Sequence, residues 1–328
     1  MAILVTGGAG YIGSHTVAEL LDRGEEVVVI DNLLTGHREA LLGGKLYEGD
    51  LRDKALLAKL FSENEIEAVI HFAASSLVGE SMKDPVKYYD NNVYGTQCLL
   101  EAMQQAGVDK IVFSSTAATY GEPEKVPIEE TDRTEPANVY GETKLTMERM
   151  MAWFDKVLGI KYVALRYFNA AGAHASGKIG EDHRPESHLI PLVLQAALKQ
   201  RENIAVFGED YPTEDGTCVR DYIHVSDLAD AHVRAVTYLR SGSASNIFNL
   251  GNGLGFSVKQ VIETAKKVTG LDIPVVVQER RAGDPAVLVA SSDKARKVLG
   301  WDPQHADLED IIQSAWSWHS ANPQGYGE

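Results

Sequence analysis

Residues 2–13 read Ala-Ile-Leu-Val-Thr-Gly-Gly-Ala-Gly-Tyr-Ile-Gly. The first five are a short apolar run, the pattern of a strand buried on both faces. Glycines at 7, 8, 10 and 13 fit both a GxGxxG frame (8, 10, 13) and a GxxGxxG frame (7, 10, 13). Ile12, Val17, Leu20 and Leu21 then follow at helical spacing. A strand, a glycine turn and a helix in that order set a helix N-terminus against an anion, and glycine lets the backbone approach a pyrophosphate. A glycine match alone is a weak signal; its place between strand and helix gives it weight.

Outward from this stretch, Val27-Val28-Val29-Ile30 reads as a second strand ending at Asp31, 18 residues after Gly13. A carboxylate there accepts hydrogen bonds from adenosine ribose hydroxyls and repels a 2′-phosphate, so the expected cofactor is NAD rather than NADP. A third strand ends in Glu48-Gly49-Asp50-Leu51, and strands are expected over 68–74, 110–116 and 162–168, with helical patterns between them, including 85–106. This alternation predicts an α/β chain with a Rossmann-type doubly wound parallel sheet. Asp50 is expected at the adenine edge, and Ala73 and Ala74 leave room for a cofactor. The hydroxyls of Ser114, Ser115 and Thr116 end a strand where such a sheet places its ligand.

From residue 169 the pattern loosens. Residues 169–188, rich in Gly, His, Ser and Pro, read as loop; helices are expected over 189–201, 226–240, 257–269 and 307–320, and short strands over 204–207 and 275–278. The division expected is an NAD-binding domain over 1–168, with segments returning to it from about 212–232, and a smaller mixed α/β substrate domain over 169–328.

Chemistry is carried by Asn138-Val139-Tyr140-Gly141-Glu142-Thr143-Lys144. Tyr140 and Lys144 share one face of a helix, one turn apart. A nearby ammonium favours the phenolate and is expected to bring the phenol down from its usual ~10 toward neutrality. Such a phenol is a general base for a sugar or alcohol hydroxyl. His183 and His188 match no metal-site spacing and no HExxH or Cys/His cluster is present, so no metal is expected.

The 328 residues, 44% hydrophobic and 24% charged, suffice for a large core. A net charge of −16 argues against nucleic acid or an anionic membrane as partner. Cys98 and Cys218 form no CxxC and are expected as buried thiols. No apolar run approaches ~18 residues, and the N-terminus enters a strand without a basic segment, so a cytoplasmic protein is expected.

Together TGGAGYIGSH (6–15), the strand ending Asp31-Asn32, HFAA (71–74), FSST (113–116) with Tyr120-Gly121, YxxxK (140–144) and RYFN (166–169) resemble the extended short-chain dehydrogenase/reductase superfamily. Within it, YYDNN (88–92), GEDYPTEDGT (208–217), VRDYIHV (219–225) and NPQGY (322–326) are similar to the UDP-hexose 4-epimerases, and the resemblance covers essentially the whole chain. It implies reversible inversion at C4, interconverting UDP-glucose and UDP-galactose; a 4-epimerase acting on UDP-N-acetylhexosamines or another UDP-sugar is the alternative. Tyr140 would remove the 4-OH proton, Thr116 would orient that hydroxyl, Lys144 would bind the nicotinamide ribose, and tightly held NAD would take and return the hydride. The resemblance implies cofactor contacts from Gly7, Gly10, Tyr11, Ile12, Gly13, Asp31, Asn32, Asp50, Leu51, Phe72, Ala73, Ala74, Asn91, Thr116, Tyr140, Lys144 and Phe168. It implies substrate contacts from Thr116, Tyr140, Asn169, Leu189, Arg220, Arg281 and Asp284, the two arginines facing the diphosphate. A homodimer through two helices per subunit is also implied.

The chain departs from that pattern in places. Ser76 stands where many members have Lys beside the cofactor, His188 where an Asn faces uridine, and Leu288 at the position that filters N-acetylated sugars. A 4,6-dehydratase would need an Asp-Glu pair where Ala117 and Ala118 stand, and a non-catalytic NAD sensor would not need both Tyr140 and Lys144.

Overall fold

The computed structural model describes residues 1–281 and 284–327. Strands β1 (Ala2–Thr6), β2 (Val27–Asp31), β3 (Lys45–Glu48), β4 (Ile66–His71), β5 (Lys110–Ser114), β6 (Lys161–Tyr167) and β7 (Asn246–Leu250) form one sheet in the order β7-β6-β5-β4-β1-β2-β3. Every pairing in it is parallel. Each face carries its own core, which is why the central strands are apolar without interruption. Ile3 and Val5 pack with Val17, Leu20 and Val29 on one side. Leu4 packs with Val28, Leu57, Leu60 and Phe113 on the other. The strand order reverses between β1 and β4, so the connections leaving their carboxyl ends diverge and open a crevice there.

Helices α1 (Tyr11–Asp22), α2 (Lys54–Glu63), α3 (Gly95–Ala106) and α4 (Val139–Leu158) cover the sheet. The helix expected over 85–106 is three pieces: a short α segment Pro85–Tyr88, a π-helical turn Tyr89–Tyr94, and α3. The wide turn carries Asn92, whose buried side chain is hydrogen-bonded to Ser75 after β4. After α5 (Leu189–Ala197), helix α6 (Val225–Arg240) returns to the sheet, burying Leu228, Ala231 and Val236 in the same core as Val17 and Leu20. It leads into β7, which pairs with β6. The return expected near 212–232 is thus made by residues 225–250, and β7, a half-polar five-residue run, gave no pattern to find.

The remaining elements gather α5, α7 (Val258–Thr269) and α8 (Leu308–Ala321) around Ile190, Val193, Val261, Ile311 and Ile312. Short strands 204–207 and 275–278 pair in parallel, and 219–220 lies between 256–257 and 287–288. Cys98 and Cys218 are free and buried. Among the described residues no helix is long and apolar enough to cross a membrane.

Candidate active site

The glycine loop closes against the backbone that leaves β4. Gly7 has φ +69°, and a Cβ on it would lie 2.6 Å from the Ala73 nitrogen. A Cβ on Gly13 would lie 2.2 Å from the Gly7 carbonyl oxygen. The protein itself therefore demands both glycines. Gly10 differs: its Cβ would meet only the Gly7 carbonyl, at 3.3 Å, so the room it leaves faces out of the loop. Helix α1 starts at Tyr11, after Gly10 at its N-cap and with no side-chain cap, leaving the first-turn N–H groups, including those of Tyr11 and Ile12, for an anion.

Asp31 Oδ2 accepts from the Ala9 N–H at 2.9 Å and Oδ1 from that of Leu33 at 2.8 Å. Each oxygen keeps a lone pair for a ribose hydroxyl. Burial raises the carboxyl above its usual range, and the two N–H groups oppose this. The open glycine, the uncapped helix and this carboxylate fit the pyrophosphate and adenosine ribose of NAD.

Asp50 sits in a polar cluster at the end of β3. Its oxygens accept from Arg52 at 2.8 and 2.7 Å and from Asn32 Nδ2 at 3.1 Å. Arg52 holds the carboxyl down at about 2. The guanidinium two residues away orients this carboxylate at the strand end. Leu51 is buried with Val28 and Ile30. The Phe72 ring lies tilted against His232, 4.6 Å between ring centroids, and Ala74 lines the exit from β4.

Helix α4 brings Tyr140 and Lys144 to the carboxyl end of β5. Asn138 caps it by accepting from the Gly141 N–H at 2.8 Å, and Ser81 Oγ accepts from that of Tyr140 at 3.1 Å. The Thr143 hydroxyl donates to the Tyr140 carbonyl at 2.8 Å and accepts from Asn92 Nδ2 at 3.1 Å. Asn92 is therefore the bracket between the β4 exit and α4. Its neighbour Asn91, expected from the resemblance to touch the cofactor, donates to Ser75 Oγ at 3.2 Å. Nothing local in a sequence tells which of two adjacent asparagines a π-turn buries.

Lys144 is buried; its Nζ donates to the Ser114 carbonyl at 2.8 Å and lies 5.9 Å from the Tyr140 ring centroid. Burial brings the ammonium down to about 7, with Glu148 opposing. Burial also raises the Tyr140 phenol, with the neighbouring Thr116 hydroxyl pulling the other way. The expected lowering is assigned to Lys144, with the positive ring of NAD+ adding to it. The ammonium is directed at a main-chain carbonyl, and the dry interior disfavours both charges. Thr116 Oγ1 accepts from the Ala118 N–H at 3.1 Å, which fixes its rotamer.

One turn beyond Lys144, Glu148 lies buried and accepts from Arg166 Nε at 2.9 Å, from its terminal nitrogen at 2.5 Å and from Ser115 Oγ at 2.5 Å. The Arg166 guanidinium sits 4.8 Å from the Tyr120 ring centroid. Sequence reasoning missed this pair, which locks α4 onto β5 and β6. Glu148→Ala strands a buried guanidinium and should cost about 3–5 kcal/mol in urea unfolding. A Glu148→Leu/Arg166→Met double variant, with no charge left unpaired, should regain most of it. A loss below about 1 kcal/mol in the single variant would mean the pair locks nothing.

On the substrate side, Phe168 follows β6, and both the N–H and Nδ2 of Asn169 donate to the Asp221 carbonyl, at 3.2 and 3.1 Å. Asn169 is thus tied to main chain. Arg220 bonds the Asp284 carboxylate and donates to the Val219 carbonyl at 2.8 Å. Leu288 pairs in register with Arg220, and the Arg281 guanidinium lies 3.8 Å from the Phe207 ring centroid. Leu189 opens α5 and packs against that helix's core. Arg220, Asp284 and Leu288 are brought together; Ser76 is exposed.

Close to Tyr11 the loop before α5 draws in four groups that sequence spacing did not connect. One ligating atom from each of Glu181, His183, Glu186 and His188 lies within 4.8 Å of all the others. The His183 ring meets Tyr11 edge-on, 6.1 Å between centroids. Burial works against a charged His183, yet Glu181 and Glu186 push it up to about 10.

Comparison with known proteins agrees with this geometry. A model of the NAD dependent epimerase/dehydratase family matches residues 3–251. The chain is 60% identical over 326 residues, 99% of its length and 98% of the relative's, to the UDP-glucose 4-epimerase of Halalkalibacterium halodurans. A crystal structure of a UDP-glucose 4-epimerase superposes with a TM-score of 0.99 at 57% identity, covering 100% of both chains. The UDP-glucose 4-epimerase of Bifidobacterium longum, solved with NAD+ and UDP, superposes with a TM-score of 0.93 at 41% identity, covering 99% of this chain and 100% of that one.

Proposed function

The chain belongs to the NAD dependent epimerase/dehydratase family, and from that premise we propose that it interconverts UDP-glucose and UDP-galactose by oxidation, rotation and re-reduction at C4. The observation that carries this is a half-buried Tyr140 beside Thr116, one helical turn from the buried Lys144, at the strand ends next to an NAD-shaped glycine loop. NAD, when bound, supplies the hydride acceptor and a fixed positive charge.

The residues divide the remaining work. Tyr140 takes the proton from the sugar 4-OH and gives it back on the other face. Thr116 holds that hydroxyl toward the phenol. Lys144, poised near 7, shifts toward its charged form as negative charge develops on Tyr140. Arg220 exchanges its Asp284 partner for a phosphate oxygen of UDP, and Arg281 joins it.

We assign cofactor binding to the seven-stranded layer and the UDP-sugar to the layer built on α5, α7 and α8. Val86, Trp153 and Val157, with 75%, 61% and 70% of their surface exposed on segment 85–88 and α4, support a homodimer through these helices. The two unbridged thiols support a cytoplasmic setting.

Purified protein given UDP-galactose and no added cofactor should form UDP-glucose, and acid-denatured protein should release NAD. A strict need for free NADP+, or accumulation of a keto sugar, would instead make it a dehydrogenase. Leu288, beside Arg220, sets the room for a 2-substituent. Leu288→Tyr should lower kcat/KM on UDP-N-acetylgalactosamine about tenfold more than on UDP-galactose. Equal losses on both substrates would remove Leu288 as the size filter.

A further inference from the structure

Glu181 and Glu186 are buried carboxylates, with side chains 3% and 5% exposed, yet among the described residues no lysine or arginine pairs with either. Their charged-group partners are His183 and His188 alone, both through Nδ1. Glu181 Oε1 lies 3.3 Å from His183 Nδ1 and is hydrogen-bonded to His188 Nδ1. Glu186 lies 3.6 Å from His183 Nδ1 and 3.9 Å from His188 Nδ1. Two buried negative charges need two positive ones. Two protons would supply them, but would charge two imidazoles whose rings stand only 5.3 Å apart. One dication supplies them with both rings neutral.

Three of the four Glu–His separations, 3.3, 3.6 and 3.9 Å, lie near what a bound cation requires, and the short Glu181–His188 hydrogen bond must open to admit it. Metal–ligand bonds of about 2.0–2.2 Å in tetrahedral geometry put neighbouring ligand atoms about 3.3–3.6 Å apart. Two imidazole nitrogens with two carboxylate oxygens favour a borderline first-row dication such as Zn2+ over Mg2+ or Ca2+, which take oxygen-only shells. We propose that Glu181, His183, Glu186 and His188 bind one Zn2+-class cation in a closed, structural site.

Its place in the fold says what it does. His183 packs on Tyr11 of the glycine loop, and His188 directly precedes Leu189 at the start of α5. Between them, Asp182 accepts from the Tyr326 N–H at 3.0 Å, and the Asp182 carbonyl bonds His37 Nε2 at 3.0 Å. A cation here pins one irregular loop to the cofactor layer, the substrate layer and the C-terminal segment at once. Four protein ligands leave no position for a reactant, so the ion fixes the loop and takes no part in proton transfer.

The test uses tag-free protein freed of metal by a chelator. Titration with Co2+ should give one equivalent per chain with the visible bands of a four-coordinate site, and Zn2+ should displace it. Zn2+ should also raise the thermal midpoint and slow NAD release. The Glu186→Gln/His188→Asn variant, checked for native circular dichroism, should lose both stoichiometric binding and the Zn2+-dependent midpoint shift. If that variant does not fold, His188→Asn alone, at the half-exposed ligand, should weaken binding at least about tenfold. Less than half an equivalent of Co2+ in the parent protein, or unchanged affinity in a folded variant, overturns the proposal.

Discussion

Tyr140→Phe should lower kcat roughly 10²–10⁴-fold, the share that positioned proton transfer contributes, while the protein still purifies with NAD. The hydroxyl can be removed cleanly because it holds no part of the fold in place. Ser81, Asn138 and Thr143 fix the start of α4 through main-chain atoms of residues 140 and 141. KM for the UDP-sugar should move little, since the diphosphate is gripped elsewhere. Substantial remaining turnover would mean that another base serves the 4-OH, and loss of bound NAD would mean that the phenol supports the cofactor rather than the reaction.

Acid should unfold the protein steeply below neutrality. Burial pushes His71 and His224 down to about 3 and His15 and His232 down to about 4. In the native state all four are neutral in mild acid, whereas the unfolded chain protonates them near ~6.5. The unfolded state thus binds more protons, and stability falls as pH drops below that value, until the native pKa of each is reached. Each group contributes about 1.4 kcal/mol per pH unit, so the four together remove on the order of 5 kcal/mol one unit below their unfolded pKa.

Other groups alter this only at its margins. Asp221, pushed up to about 6 by burial, works in the opposite direction and offsets less than one histidine's share at pH ~5.5. Urea midpoints at pH ~7.5 and ~5.5 check the slope; equal midpoints would mean that the four rings are not sealed from water.

The parallel sheet was readable because its strands are short apolar runs ending in Gly, Asp, Ala or Thr, and those endings are where a doubly wound sheet meets its ligand. Tyr140 and Lys144 were readable because one helical turn is a local relation. What escaped were relations made by folding. Asn92, Ser81 and Glu148 matter through partners 17 to 59 residues away, and neither their type nor their spacing announces it. The pairing of Asp50 with Arg52 was likewise not legible, because a strand-end carboxylate looks the same with or without a neighbouring arginine on it. The histidines at 183 and 188 join two glutamates across an irregular loop, which no helical or ribbon spacing describes.

Strand β7 has a bearing on how the chain is made and handled. It closes the open edge of β6 but is drawn from residues 246–250, some 80 residues downstream. During synthesis, the hydrogen-bonding rim of β6 stays bare until about three quarters of the polypeptide has left the ribosome. A fragment cut after residue 168 would keep that rim for good. The nucleotide-binding half is therefore not a portable module, and its expression alone should yield aggregates rather than a soluble binder.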